Sequence, residues 1–178
     1  MKLFNILLLV MAMIAAVSCG PTDNRLSFDK ATEYNDYIVD IIDPITEIYN
    51  LTFATQKGDK YCLAQCDSLI LKSEETIALL NGIQPYEDDS SFAMAAKEYC
   101  KYMVQIGKED LPVFINLLKI VEAGGLDDTI TLNKNAVVLD KGYETRFEKF
   151  EAAQKVLAIK FNYKIKREDD EIISPYKN

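Results

Sequence analysis

Apolar positions recur along this chain in four long runs spaced three and four residues apart, the period of a helix that buries one face. The first runs Ala31, Tyr34, Ile38, Ile41, Ile45, Ile48, Thr52, and Ile42, Tyr49 and Phe53 widen the stripe. Ser27 or Asp29 is placed to cap it. Pro44 lies inside this run and predicts a kink or a split, because it lacks an amide and crowds the preceding turn; Asp43 would then cap the second half. The second helix is expected from about Lys60 to Asn81. Its inward series is Cys62, Cys66, Leu69, Ser73, Ile77 and Leu80, helped by Leu63 and Ile70, and Asn81-Gly82 stops it.

Ile83 to Ser91 reads as a loop, with Ser90 or Ser91 capping a third helix whose inward positions are Phe92, Ala96, Tyr99, Met103 and Ile106. Gly107 and Pro112 predict a bend near Lys108 to Leu111. The helix then resumes with Val113, Phe114, Leu117, Leu118 and Val121 and ends at Gly124-Gly125. Thr129-Ile130-Thr131-Leu132 alternates like a strand but has no evident partner, so Leu126 to Asn135 reads as loop. The fourth helix carries Ala136, Asp140, Tyr143, Phe147, Phe150, Gln154, Leu157 and Phe161. The expected fold is all-α, an up-down-up-down four-helix bundle over residues 28–163, followed by a polar tail over 164–178.

The N-terminus has a different pattern. Lys2 precedes an apolar run, Leu3 to Val17, that is too short to span a bilayer comfortably and ends in small residues, as a signal peptide does. Its end, Ala16-Val17-Ser18-Cys19, resembles the bacterial lipobox, with Ala16 standing where leucine is preferred. That resemblance implies removal of residues 1–18 and lipidation of Cys19, with residues 19–27 as a tether. An ordinary signal peptide or a retained helix are the alternatives.

Composition narrows the functional classes. The chain has 178 residues, enough for one domain with a sizeable core, and a formal net charge of −8. That charge argues against a nucleic-acid partner, which needs clustered cations. There is no histidine, which removes the commonest general base and metal ligand and any His-containing triad.

Three cysteines remain after Cys19. Cys62 and Cys66 share a helix face and Cys100 lies beside the stripe of the third helix. They read as buried hydrophobes, as one disulfide from Cys100 to Cys62 or Cys66, or as a soft-metal or redox site suited to Cu(I). Asp140 and Gln154 are the polar groups on an inward stripe and read as specifiers of helix register. The acidic pairs Asp88-Asp89 and Asp127-Asp128, and the run Glu168 to Glu171, read as solvated charge. Tyr37, Tyr102 and Tyr163 are the aromatics least easily placed inside and mark where a binding patch would lie. Asp67-Ser68-Leu69 and Asp128-Thr129-Ile130 fit a degenerate O-glycosylation tripeptide, with Thr129 the better acceptor.

Tyr34-Asn35-Asp36-Tyr37-Ile38-Val39 and the segment from Phe150-Glu151-Ala152-Ala153-Gln154-Lys155 to Phe161-Asn162-Tyr163 resemble a group of helical lipoproteins of unknown function from Gram-negative bacteria, Bacteroidota among them. The resemblance covers most of residues 29–163 and implies a bundle in the cell envelope, with no catalytic residues carried over. Surface-exported lipoproteins of that group tend to carry an acidic cluster after the cysteine, and here only Asp23 stands there. The expected location is the outer membrane, facing the periplasm, with the cell surface as the alternative. The expected function is a non-enzymatic, lipid-anchored binding module without a cofactor. Its partner would be an envelope protein or cell-wall component. The competing reading is a thiol-based Cu(I)-binding or redox protein using Cys62, Cys66 and Cys100.

Overall fold

The structure is a computed structural model and describes residues 23–53, 63–124 and 129–165. Cys19, the apolar leader, Cys62 and the acidic run from Glu168 lie outside the described residues. Those described form five helices: α1 Ala31–Phe53, α2 Leu63–Asn81, α3 Ser91–Lys108, α4 Asp110–Glu122 and α5 Thr129–Lys160. The β-pairing among them is limited to isolated bridges, Leu26 with Ile83 and Tyr86 with Asp89. The protein is all-α.

The inward faces follow the spacing that forms the helices. On α1 the enclosed side chains are Ala31, Tyr34, Asn35, Ile38, Ile42, Ile45 and Tyr49. Ile41 and Ile48 are half-buried, so the face is centred slightly to the Ile42 and Tyr49 side of the expected stripe. Pro44 does not split this helix, which runs unbroken to Phe53, and no cap from Asp43 is needed. On α2, Cys66, Leu69, Ser73, Thr76 and Leu80 are enclosed. Ser73 Oγ donates to the Leu69 carbonyl at 2.7 Å within its own helix. Thr76 Oγ1 donates to the Ile41 carbonyl of α1 at 3.2 Å, and these bonds allow the two hydroxyls to be buried.

All five expected positions of α3, Phe92 to Ile106, are fully enclosed. The helix breaks at Glu109, where the glycine and proline predict it, and α4 begins one residue later. The face of α4 is the expected one in part: Phe114 is buried and Leu118 packs against the core as expected. Leu111, Phe114 and Ile115 point inward, whereas Val113 is half-exposed. The break re-aims the chain, so the periodic register of α3 does not carry through.

The segment read as loop is helix from Thr129 onward, which lengthens α5 to 32 residues. Leu132, Ala136 and Leu139 pack inward there. α5 runs antiparallel to α3, with Phe92 on Phe150 and Tyr99 against Tyr143 and Phe147. It continues beyond α3 to pack on α4. α4 also touches α2 and α3 but not α1 among the described residues. At about 1.5 Å per residue α5 is roughly 48 Å long, against about 28 Å for α2. The α4–α5 hairpin therefore forms an end of the molecule that α1 does not cover.

The other end gathers the start of α1, the end of α2, the start of α3 and the end of α5. Ser90 occupies the cap position of α3, but its side chain makes no capping bond. Asp89 does this instead: its Oδ1 accepts from the Ser91 amide at 2.9 Å and from Ser91 Oγ at 2.6 Å. Its Oδ2 accepts from Lys160 Nζ at 2.6 Å, tying α3 to the last turn of α5. α5 ends in a Schellman motif, with Asn162 left-handed at φ 53° and the Tyr163 amide bonded to the Ala158 carbonyl at 3.0 Å.

Candidate functional site

The side chains singled out by residue type are mostly absorbed into the core. Cys66 and Cys100 are both buried thiols and are not bridged to each other. Burial pushes the Cys100 thiol up to about 12, so it carries almost no thiolate at neutral pH. Gly107 marks the level of Cys66, since a Cβ there would lie 3.4 Å from the Cys66 carbonyl. Cys100 is seven residues from Gly107 on the same helix, about 10 Å along its axis. The two thiols therefore sit in different layers of the core. Among the described residues no group of three or more His, Cys, Asp and Glu is placed to hold a metal ion.

Asp140 is exposed and is not part of the inward stripe. α5 turns Leu139 inward in its place, because the face is centred between Leu132, Ala136, Leu139 and Tyr143. Gln154 is half-buried and donates from Nε2 to Asn35 Oδ1 at 2.9 Å. Tyr163 OH donates to the same oxygen at 3.2 Å, and Asn35 Nδ2 donates to Asp36 Oδ1 at 2.9 Å. This node between α1 and the end of α5 includes a buried asparagine that the spacing missed. Asn35 lies next to the apolar stripe, and its partners are far away in sequence. Burial raises the Tyr163 hydroxyl to about 12.

The other two tyrosines expected at a binding patch are also engaged. Tyr37 stacks at a tilt on Phe28, 5.3 Å between centroids. Tyr102 lies against Gly142 of α5 and carries the Arg146 guanidinium 4.9 Å over its ring. The aromatic column through Tyr49, Tyr143, Phe147, Tyr99 and Phe150 fills the seam between α1, α3 and α5. Ser68 is exposed but donates to the Ala64 carbonyl of its own helix at 2.9 Å. Thr129 is the first residue of α5 rather than a loop residue.

Among the described residues, the outer face of the α4–α5 hairpin carries an exposed apolar cluster. Ile130, Val137 and Val138 are 69%, 65% and 67% exposed and cluster on one helix face, whereas the other exposed apolar side chains, such as Leu51, Leu71, Met94 and Ile159, are spread over several helices. With Asn133 and Lys134 they line an open hollow of about 590 Å³. Spacings of seven and eight residues place the three on one side of α5. On α4, Val113 and Ile120 are about half-exposed and stand seven residues apart. Ile130 was hidden because residues up to Asn135 read as loop, while Val137 and Val138 fall in the expected fourth helix but off its inward series. Its chemistry is apolar with a single cation at Lys134, which suits side-chain contact rather than bond making. No helix of the described residues is long and apolar enough to cross a membrane. Comparison with protein-family models, with curated proteins and with solved structures finds no match.

Proposed function

We propose that this chain is a lipid-anchored, non-enzymatic lipoprotein of the cell envelope whose helical domain is a binding module for an envelope protein or cell-wall component. The anchor half of the reading rests on the apolar run that ends in Ala16-Val17-Ser18-Cys19. The binding half is carried by the exposed Ile130, Val137 and Val138 on the α4–α5 hairpin. These three solvent-facing β-branched residues stand outside the packed core, and exposed apolar clusters of this kind mark interaction surfaces. Within the reading, α1, α2, α3 and the C-terminal half of α5 make an up-down-up-down four-helix bundle, and α4 with the N-terminal half of α5 extends it.

The test is made on protein purified from its own envelope. Intact mass is expected to show the chain from Cys19 with its acyl groups, and Cys19→Ser is expected to move the protein to the soluble fraction. A photo-crosslinker at Lys134 is expected to trap a discrete envelope partner, while one at Lys101 traps none. Measurable hydrolase or oxidoreductase turnover, or an unmodified Cys19, would overturn the reading.

A further inference from the structure

The described chain begins at the end of the molecule opposite the hairpin, and its first residues are held there. The Leu26 amide donates to the Gly82 carbonyl at 2.8 Å, and the Gln84 amide donates to the Leu26 carbonyl at 2.7 Å. Both backbone groups of Leu26 are thus used in a parallel bridge with Ile83, which is itself buried. Two residues later Phe28 packs edge-on against Tyr34 at 5.4 Å and against Tyr37 at 5.3 Å. Ile83 leads into the tight turn at Tyr86, whose ring meets Phe161 at 4.9 Å, and the turn closes at Asp89 on Lys160. The segment from Leu26 to Phe28 therefore grips α1 and the α2–α3 turn, and that turn itself meets the end of α5 through Tyr86 and Asp89.

We infer that this segment is a strap that sets how the domain stands on its membrane, with the α2–α3 turn toward the lipid and the outer face of the α4–α5 hairpin presented away from it. The inference rests on the proposed lipid at Cys19. From Cys19 to Leu26 is seven residues, a span of at most about 25 Å when fully extended. Without the bridge the first held residue would be Phe28, packed on Tyr34 and Tyr37, and the leash would hold α1 alone. From Lys160 back to Ile130 is thirty residues of one continuous helix, about 45 Å. A leash of at most about 25 Å holds the α2–α3 turn near the lipid, and with α5 upright the hairpin surface stands about 45 Å further out.

The test uses full-length lipidated protein in phosphatidylethanolamine–phosphatidylglycerol vesicles carrying acceptor-labelled headgroups. A donor dye is placed at Asp88→Cys or at Asn133→Cys, each with Cys62→Ser. Strong energy transfer from position 88, weak transfer from 133, and a smaller difference in Leu26→Pro support the strap. Leu26→Pro removes the amide that Gly82 receives; Phe28→Ala, which keeps that amide, is the second variant, and both are checked for unchanged helical circular dichroism. Equal transfer from the two positions in the parent overturns the orientation. Fast hydrogen exchange at the Gln84 amide in the parent overturns the strap. If Cys19 carries no lipid and neither position transfers, the anchor has failed and the orientation falls with it, while slow exchange at Gln84 still upholds the strap itself.

Discussion

Tyr34 and Tyr99 are both fully enclosed, and their hydroxyls differ in worth. Tyr99 OH shares a hydrogen bond with Thr46 Oγ1 at 3.0 Å. Tyr34 OH is shut in beside the Ala93 backbone without a well-formed bond, and burial raises it to about 12. An unsatisfied buried hydroxyl costs about 1–3 kcal/mol, and a satisfied one contributes roughly 1. Tyr34→Phe is therefore expected to stabilise by about 1 kcal/mol and Tyr99→Phe to destabilise by about as much, read from urea midpoints at constant slope. Asp89 behaves oppositely with pH. Lys160, then the Ser91 hydroxyl and amide, hold its carboxyl at about 2, below the ordinary 3.8. A carboxyl lowered in the fold stabilises it above the unfolded value and loses that stability as pH falls from about 4 toward 2. Asp89→Asn is expected to flatten this acid limb and to cost about 1 kcal/mol at neutral pH. Most of that cost is the cap, since Lys160 is half-exposed. Periodicity made the two tyrosines legible as core. It could not reveal Asn35, whose partners Gln154 and Tyr163 lie 119 and 128 residues away.

Helices form here wherever one face can be buried, even against local preference. α1 keeps Pro44 in mid-helix because a long face packs on α2 and α3. Thr76 adds a bond to the Ile41 carbonyl in the turn before the proline, and no local pattern foretold it. The break at Glu109 was legible, since Gly107 and Pro112 are local signals. The start of α5 was not, because Thr129 to Leu132 is too short to tell a strand period from a helical one. What makes it helical is tertiary: Leu132, Ala136 and Leu139 face inward where α5 packs on α4. Gly107 serves a second purpose, close approach. A Cβ there would meet Ile70 Cγ1 at 2.8 Å and the Cys66 carbonyl at 3.4 Å. Gly107→Ala gains roughly 1 kcal/mol of helix propensity and is still expected to lose about 1–2 net through overpacking. Pairing it with Ile70→Ala is expected to cost less than the two single losses added, as a thermal-melt double-mutant cycle would show. Strict additivity would mean that α2 and α3 do not meet through this glycine.

At the scale of the molecule, the two ends have different occupations. One end is locked by the Leu26–Ile83 bridge, the Asp89–Lys160 pair and the Asn35 node. The other end is a two-helix extension whose inner side is closed by Leu111, Ile115 and Leu139 and whose outer side exposes Ile130 and Val137. If the outer side serves contact rather than folding, the two sides must respond differently to substitution. Ile130→Gln combined with Val137→Gln replaces side chains that already face water, so stability is expected to stay within about 0.5 kcal/mol. Leu111→Ala or Leu139→Ala opens a cavity in a filled interior and is expected to cost about 2–4 kcal/mol. The double glutamine variant is also expected to lose the crosslink from Lys134 while keeping its melting temperature. A melting temperature that falls as far as in the leucine variants would mean that the strip is covered within the protein itself, and it would remove the surface on which a binding function rests.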